Sequence, residues 1–421
     1  MEFGCYEISV LVWLCEYEVT SFLLRFSFCA VWLWVPVEQL GYKRAHLRST
    51  RTWRISFLTK VLAKISIDSN CMLSAILIST TAASPGVEFS CVGACSQPRA
   101  AKSRGGNALL GGHMYPGVTI PSDNVAYRWF LNRAAGGDVL VLTADDPPWD
   151  IYNPFLLNMT GVSPAPNSIT TARFTARSGA ADAKLATLLD GAAAIFLTGG
   201  DQSKYYTYWQ GTAVSDALSS SHVVVGGSSA GLAVQGNFIF DAMHGGITSA
   251  DALKYPTDSE VSLARDFIAV NEPWMRGIIT DTHFLQRDRM GRLVAFIGRV
   301  AEAHWSRGDN QSYHLPGVLG VGISEHTAVL VDTHGDASFV GVGPAYFLKN
   351  GGALPTTCEE GKPLSWELPG ITVWRWSNTT VDGVVFSFKT WTASPADAGA
   401  RYALTVKKGT LSSTQPGGGI Y

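Results

Sequence analysis

Gly227-Ser-Ser-Ala-Gly231 sets a serine between glycines directly behind the apolar run His222-Val-Val-Val-Gly226. That spacing predicts a sharp strand-to-helix turn that would lift the Ser229 hydroxyl above a sheet edge, where it could act as a nucleophile. A β-carbon at 227 or 231 would crowd the neighbouring strand or helix. The backbone N–H of Ala230, at the start of the following helix, is placed to stabilise an oxyanion. A hydroxyl nucleophile needs a base and the base needs an orienting group, so the remaining histidines and carboxylates can be sorted by where their strands end.

Gly277-Ile-Ile-Thr-Asp-Thr-His-Phe284 reads as a buried strand with polar residues at its end, with Asp281 and His283 on one face and Thr282 on the other. His283 is the leading base. Val318-Leu-Gly-Val-Gly-Ile-Ser-Glu325 repeats the pattern and offers Glu325 as the carboxylate that orients the imidazole. His304, His314, His326 and His334 are rival bases, and His326 is the strongest of them because it adjoins Glu325. The chain order Ser, His, Glu departs from the Ser, acid, His order of α/β-hydrolases.

Thr198-Gly-Gly-Asp-Gln202 follows the apolar strand Ala194-Ile-Phe-Leu197, which makes Gly200 the second oxyanion donor and Gln202 either a substrate ligand or a side chain that ties down its own loop. Arg287, Arg289 and Arg292 crowd the start of a helix with the apolar stripe Leu293, Phe296, Ile297 and Val300. Three planar guanidinium groups beside the base suit a substrate carboxylate.

Taken together these segments resemble cyanophycinase and its relative α-aspartyl dipeptidase. The motifs that carry the likeness are Leu110-Gly-Gly112, Phe196-Leu-Thr-Gly-Gly-Asp-Gln202, Gly226-Gly-Ser-Ser-Ala-Gly231, Asp281-Thr-His-Phe-Leu-Gln-Arg-Asp-Arg-Met-Gly-Arg-Leu293 and Gly322-Ile-Ser-Glu325, in the same order over about residues 105–345. The resemblance implies a serine peptidase on a class I glutamine-amidotransferase-like (flavodoxin-like) α/β fold, with Ser229 as nucleophile, His283 as base and Glu325 as its orienter. It further implies a substrate of aspartyl peptide type, such as a β-linked aspartyl-arginine unit, read by Gln202, Asp281, Thr282, Arg287, Arg289 and Arg292. Thr282 stands where cyanophycinases carry a glutamine, which points to altered side-chain specificity. A dipeptidase or amidase of the same fold and an inactive binder of acidic peptides are the alternatives.

The elements that must position these residues follow from the hydrophobic pattern. Apolar strands at 107–111, 138–143, 194–198, 222–226, 277–281 and 318–323 alternate with helical stretches at Asn124–Ala135 and Ala180–Asp190. Such alternation indicates a mainly parallel sheet flanked by helices, with ligands bound at the C-terminal strand ends. Thr327–Val342 reads as a hairpin that closes the sheet, and a peptidase domain is expected over 105–350. Residues 351–421 form a β-rich C-terminal extension that contains Trp366, Trp374, Trp376 and Trp391.

Composition bounds the partners. The chain has 421 residues, 46% of them apolar, and a net charge of −2, which gives no electrostatic reason to expect nucleic acid or an anionic membrane. A peptide or polymer substrate with acidic groups is favoured, no metal or cofactor is needed, and monomer and homodimer stay open. Residues 1–71 mix apolar runs with charges too closely spaced for a clean span and read as an upstream extension or disordered segment, with translation from Met72. Residues 72–84 then resemble a signal peptide, which implies a secreted protein. Asn158, Asn310 and Asn378 open glycosylation sequons, and Cys358 is expected to pair with Cys91 or Cys95.

Overall fold

The computed structural model describes residues 10–18, 25–33, 86–99, 101–144, 148–220, 222–268, 273–303, 317–376, 385–396 and 399–421. The chain divides into two compact units, Met1–Ile78 and Ser79–Tyr421. In the first, β1 (Val10–Glu18) and β2 (Arg25–Leu33) pair as an antiparallel hairpin. The expected leader over 72–84 lies outside the described residues, as do Asn310, Asn378, His304 and His314.

The second unit holds two sheets. The larger runs in the order β18 (Thr392–Ser394), β17 (Val385–Ser387), β14 (Asp336–Gly341), β13 (Thr327–Val331), β4 (Asn107–Leu110), β8 (Val224–Ser228), β7 (Ala192–Leu197), β5 (Asp138–Thr143), β6 (Ser168–Phe174) and β3 (Val87–Gly93). Its five central strands, β4, β8, β7, β5 and β6, are mutually parallel. β8, β7 and β5 are largely apolar because both faces are covered by helices and loops, whereas β6 is rich in hydroxyl residues. The helix Pro121–Arg133 contributes Ala126, Tyr127, Phe130 and Leu131 to one covering cluster, while Leu185, Leu189, Tyr205 and Trp209 from other helices pack on another. The expected hairpin appears as β13 and β14 and lies antiparallel on β4.

The smaller sheet runs β10 (Leu263–Arg265), β9 (Phe238–Phe240), β11 (Ile278–Asp281), β12 (Leu319–Ile323), β15 (Ala345–Asn350), β16 (Trp366–Trp376), β19 (Ala400–Lys407) and β20 (Thr410–Ser413). The parallel strands therefore fall into two sheets. Those near 278 and 319 pair with each other, and the first also pairs with β9, which leads the chain away from the larger sheet soon after the Ser229 turn. The helix Met290–Glu302 lies against this sheet, with Leu293, Phe296, Ile297 and Val300 all fully buried as their spacing predicts.

The C-terminal segment is β-rich and is built into both sheets. β16, β19 and β20 continue the smaller one from β15, while β17 and β18 edge the larger one. Trp374, Trp376 and Trp391 join Leu109, Val329, Phe347 and Phe386 in an apolar cluster whose members come from strands of both sheets. Trp366 packs instead with Phe296, Ile297 and Val300 of the helix Met290–Glu302. Large flat side chains fill an inter-sheet space with few rotamers to freeze, which accounts for Trp374, Trp376 and Trp391.

The cysteine pairing differs from expectation. Cys91 bonds Cys95, with Cα atoms 6.1 Å apart, and Cys358 is free. The tight turn after β3 brings the first two together, with Cys95 N bonded to the Gly93 carbonyl. Cys358 packs against the cluster under the helix Met290–Glu302, where burial pushes its thiol up to about 11.

Candidate active site

Strand register brings the motifs to one edge. Leu110 of β4 pairs with Ser228 of β8, and Leu197 of β7 pairs with Gly227, so the chain leaves all three strands at the same level. At that level Ser229 takes φ 54° and ψ −116°, a conformation that β-branched and bulky residues avoid. A β-carbon at Gly227 would strike the Gly231 carbonyl, and one at Gly231 would strike the Leu197 carbonyl. The two glycines of the motif are thus required by the tightness of the turn. Ala230 opens the short helix Ala230–Ala233, and the first N–H groups of a helix have no partner within it.

The smaller sheet supplies the other two groups. Asp281 of β11 pairs with Gly322 of β12, so His283 and Glu325 emerge side by side from neighbouring parallel strands. Ser229 Oγ lies 2.7 Å from His283 Nε2, and His283 Nδ1 lies 2.6 Å from Glu325 Oε1. With Nδ1 protonated and bonded to the carboxylate, Nε2 carries the lone pair that faces the serine. His283 itself has φ 44° and donates its backbone N–H to the Gly111 carbonyl over 2.7 Å. A β-carbon at Gly112 would collide with the imidazole ring, so the Gly-Gly pair after β4 makes room for the histidine. Glu325 is held in turn by its backbone N–H, which donates to Gln286 Oε1.

Burial dominates the electrostatics of the pair. It lowers the His283 pKa to about 4 despite the Glu325 hydrogen bond, with the positive charges of Arg287 and Arg289 adding to the depression. The imidazole is therefore neutral at physiological pH. For Glu325 burial acts upward, but the hydrogen bond from His283 and nearby positive charge, Arg287 included, outweigh it and hold the carboxyl below its usual range.

The three arginines separate. Arg292 is buried and grips buried Asp281 with two bonds, Nε to Oδ2 at 2.8 Å and Nη2 to Oδ1 at 2.5 Å. Arg289 donates from Nη1 to the Thr282 hydroxyl at 2.9 Å and the Thr282 carbonyl at 3.0 Å, and sits 3.4 Å from Asp281. Asp281 also accepts the Thr282 N–H. Asp281, Thr282, Arg289 and Arg292 thus form a hydrogen-bonded brace beside His283, in which both Asp281 carboxylate oxygens are engaged. For Asp281, burial acts upward, but the two arginines outweigh it and hold the carboxyl low. Arg287 alone of the three lines the cavity above Ser229. Gln202 turns its amide toward the Phe240 carbonyl at 3.5 Å, the loop-tying alternative.

That cavity, about 400 Å³, is lined by His113, Tyr115, Ile151, Tyr152, Thr198, Gly199, Gly200, Ser228, Ser229, His283 and Arg287. Gly200, the second expected oxyanion donor, is therefore on its wall. His113, Tyr115 and Tyr152 were not singled out from the sequence, although His113 directly follows the Gly-Gly pair and its position was the available signal. The His113 ring stands edge-on to those of His283 and His326, 5.8 and 5.9 Å away between centroids. His326, the rival base, lies 2.9 Å through Nδ1 from the buried carboxylate of Asp123. His334 sits in the exposed turn between β13 and β14, beside Asp332. Asn158 is exposed at the end of the helix Tyr152–Leu157.

No protein-family model matches the chain. Cyanophycinases of Trichormus variabilis and of Nostoc sp. are each 29% identical to it over 159 residues, which is 37% of this chain and 44% of theirs. The matched part thus spans less than half the length of these relatives. A crystal structure of a peptidase from an acI-B1 Actinobacterium superposes with a TM-score of 0.42 and 13% identity, covering 68% of this chain and 98% of that one. Over the aligned segment the chain is thus distantly similar to cyanophycinases.

Proposed function

We propose that this protein is a serine peptidase that hydrolyses a peptide bond next to an acidic group, as in aspartyl peptides, through an acyl-enzyme. The observation that carries the reading is the continuous chain of contacts Ser229 Oγ, His283 Nε2, His283 Nδ1 and Glu325 Oε1, with the serine held on a left-handed turn. In this reading Ser229 attacks the substrate carbonyl while His283 Nε2 takes the hydroxyl proton. Glu325 holds the ring and stabilises its transient positive charge. The N–H groups of Ala230 and Gly200 receive the oxyanion. His283 then returns the proton to the leaving amine, and a water deprotonated by the same nitrogen releases the acid product. Arg287, the arginine on the cavity wall, reads the substrate carboxylate. The distant similarity to cyanophycinases supports the peptidase class, and the aspartyl preference is the finer part of the proposal.

The test is hydrolysis of a β-aspartyl-arginine polymer and a panel of aspartyl dipeptides by the purified full chain. Ser229→Ala and His283→Ala should each lower kcat by roughly four to six decades with the fold retained, as for residues that act as a unit. Wild-type rates in Ser229→Ala would refute the mechanism. Secretion after cleavage near Ser84 belongs to the same reading. Expression from Met72 in a eukaryotic host should deliver the protein to the medium with a new N-terminus there, and retention in the cell would count against it.

A further inference from the structure

The group of side chains around Glu325 has coordination chemistry that the peptidase reading leaves unused. One ring nitrogen from each of His113 and His283 and one carboxylate oxygen of Glu325 lie within 4.8 Å of one another. The Glu325 carboxylate is only half engaged: Oε1 takes the His283 bond, while Oε2 faces His113 Nδ1 at 3.7 Å, too far for a hydrogen bond. Two imidazoles and a carboxylate are a ligand set that suits zinc, and three protein ligands with an open fourth position form a tetrahedral site completed by water. In such a site the ligand atoms stand about 3.4 Å apart, so a modest turn of His113 closes the set. The His113 side chain is 47% exposed, which gives it room to turn and gives the ion a path from solvent.

We propose that His113, His283 and Glu325 form a zinc-binding site that reversibly silences the catalytic base. The inference rests on the assignment of His283 as base. The mechanism of silencing is a change of tautomer. A neutral imidazole has one basic ring lone pair and one N–H proton; when zinc takes the lone pair at Nδ1, the proton leaves Nδ1 and, by exchange with solvent, Nε2 takes one up, with no net proton released. Nε2 then faces Ser229 as a donor and cannot accept the hydroxyl proton. Glu325, drawn onto the ion, no longer orients the ring. Arg287 lines the same cavity and interacts with the Glu325 charge, so it opposes the incoming dication.

The experiment uses the full chain freed of metal by dialysis against a chelator. Zinc chloride is titrated by calorimetry into wild type, His113→Ala, Glu325→Gln and Arg287→Gln, and a fluorophosphonate measures the rate of Ser229 labelling at each zinc concentration. Wild type should bind a zinc equivalent that His113→Ala and Glu325→Gln lose or hold at least about tenfold more weakly, and Arg287→Gln should hold it more tightly. Zinc should slow wild-type labelling at least about tenfold, chelator should restore it, and His113→Ala should keep its own zinc-free rate when zinc is added. Equal zinc binding in wild type and His113→Ala overturns the proposal, as does faster labelling with zinc. Failure of the fluorophosphonate to label Ser229 without zinc would instead refute the serine mechanism, and calorimetry would still decide whether the site exists.

Discussion

In the proposed mechanism His283 joins the nucleophile to its carboxylate, and its titration would set the pH response of the reaction. Burial lowers its pKa to about 4, and only the neutral ring accepts a proton, so kcat/KM should rise as pH increases through that region and be level at neutral pH. Arg287 contributes to the depression, and Arg287→Gln should move this acidic limb to higher pH. The same variant should lose about 1.5–3 kcal/mol of transition-state binding for acidic substrates only, the range for a charged hydrogen bond. An unmoved limb and an equal loss on neutral peptides would remove both roles from Arg287. Asp281 behaves differently because its partner Arg292 is buried. Asp281→Asn should destabilise the fold by about 3–5 kcal/mol in urea denaturation, the range for stranding a buried charge. Because the Asp281 pKa is depressed in the fold, its stabilisation is full above the unfolded carboxyl pKa and is lost as pH falls through the lower folded value. Residue types and spacing made it legible that Ser229, His283 and Glu325 would meet. They could not separate the arginines, since three guanidiniums within six positions look alike until burial assigns two of them to Asp281.

At the scale of elements, the Ser229 turn was legible because an apolar run followed by Gly-Ser-Ser-Ala-Gly leaves few other conformations. Gly227→Ala tests how tightly the turn is drawn. A methyl group there meets the Gly231 carbonyl, so the variant should lose about 1–3 kcal/mol of stability and most of its fluorophosphonate labelling. Full labelling at wild-type stability would mean that the turn relaxes freely. β6 was hidden from a reading of apolar runs because its Ser-Ile-Thr-Thr sequence looks exposed. Its buried hydroxyls are satisfied locally: Thr171 donates to Asn153 Oδ1 at 2.6 Å and Ser168 to Asp138 Oδ1 at 2.6 Å. Strand β11 was visible, but its sheet was not. Periodicity reports that a strand is buried and carries no information about which neighbours bury it.

At the scale of the whole molecule, the cysteines and tryptophans were the least legible features, because both depend on which distant segments meet. Alkylation of the native protein without reductant, followed by peptide mapping, should recover Cys91 linked to Cys95. It should also find Cys358 slow to react at pH 8, since only the thiolate attacks and burial raises this thiol to about 11. A peptide that joined Cys358 to either partner would reinstate the pairing expected from the sequence. The two sheets carry a different consequence. Ser229 hangs from β8 of one and His283 and Glu325 from β11 and β12 of the other, with the tryptophan-rich cluster between those sheets. A shear of the two layers by a fraction of the 2.7 Å between Oγ and Nε2 would part nucleophile from base while every strand stayed paired. The proposed reaction centre would therefore double as a strain gauge for the inter-sheet joint. In a denaturant series, Ser229 labelling should fade at lower concentration than the far-ultraviolet signal of the sheets, and trimming Trp374 to leucine should widen the gap between the two transitions.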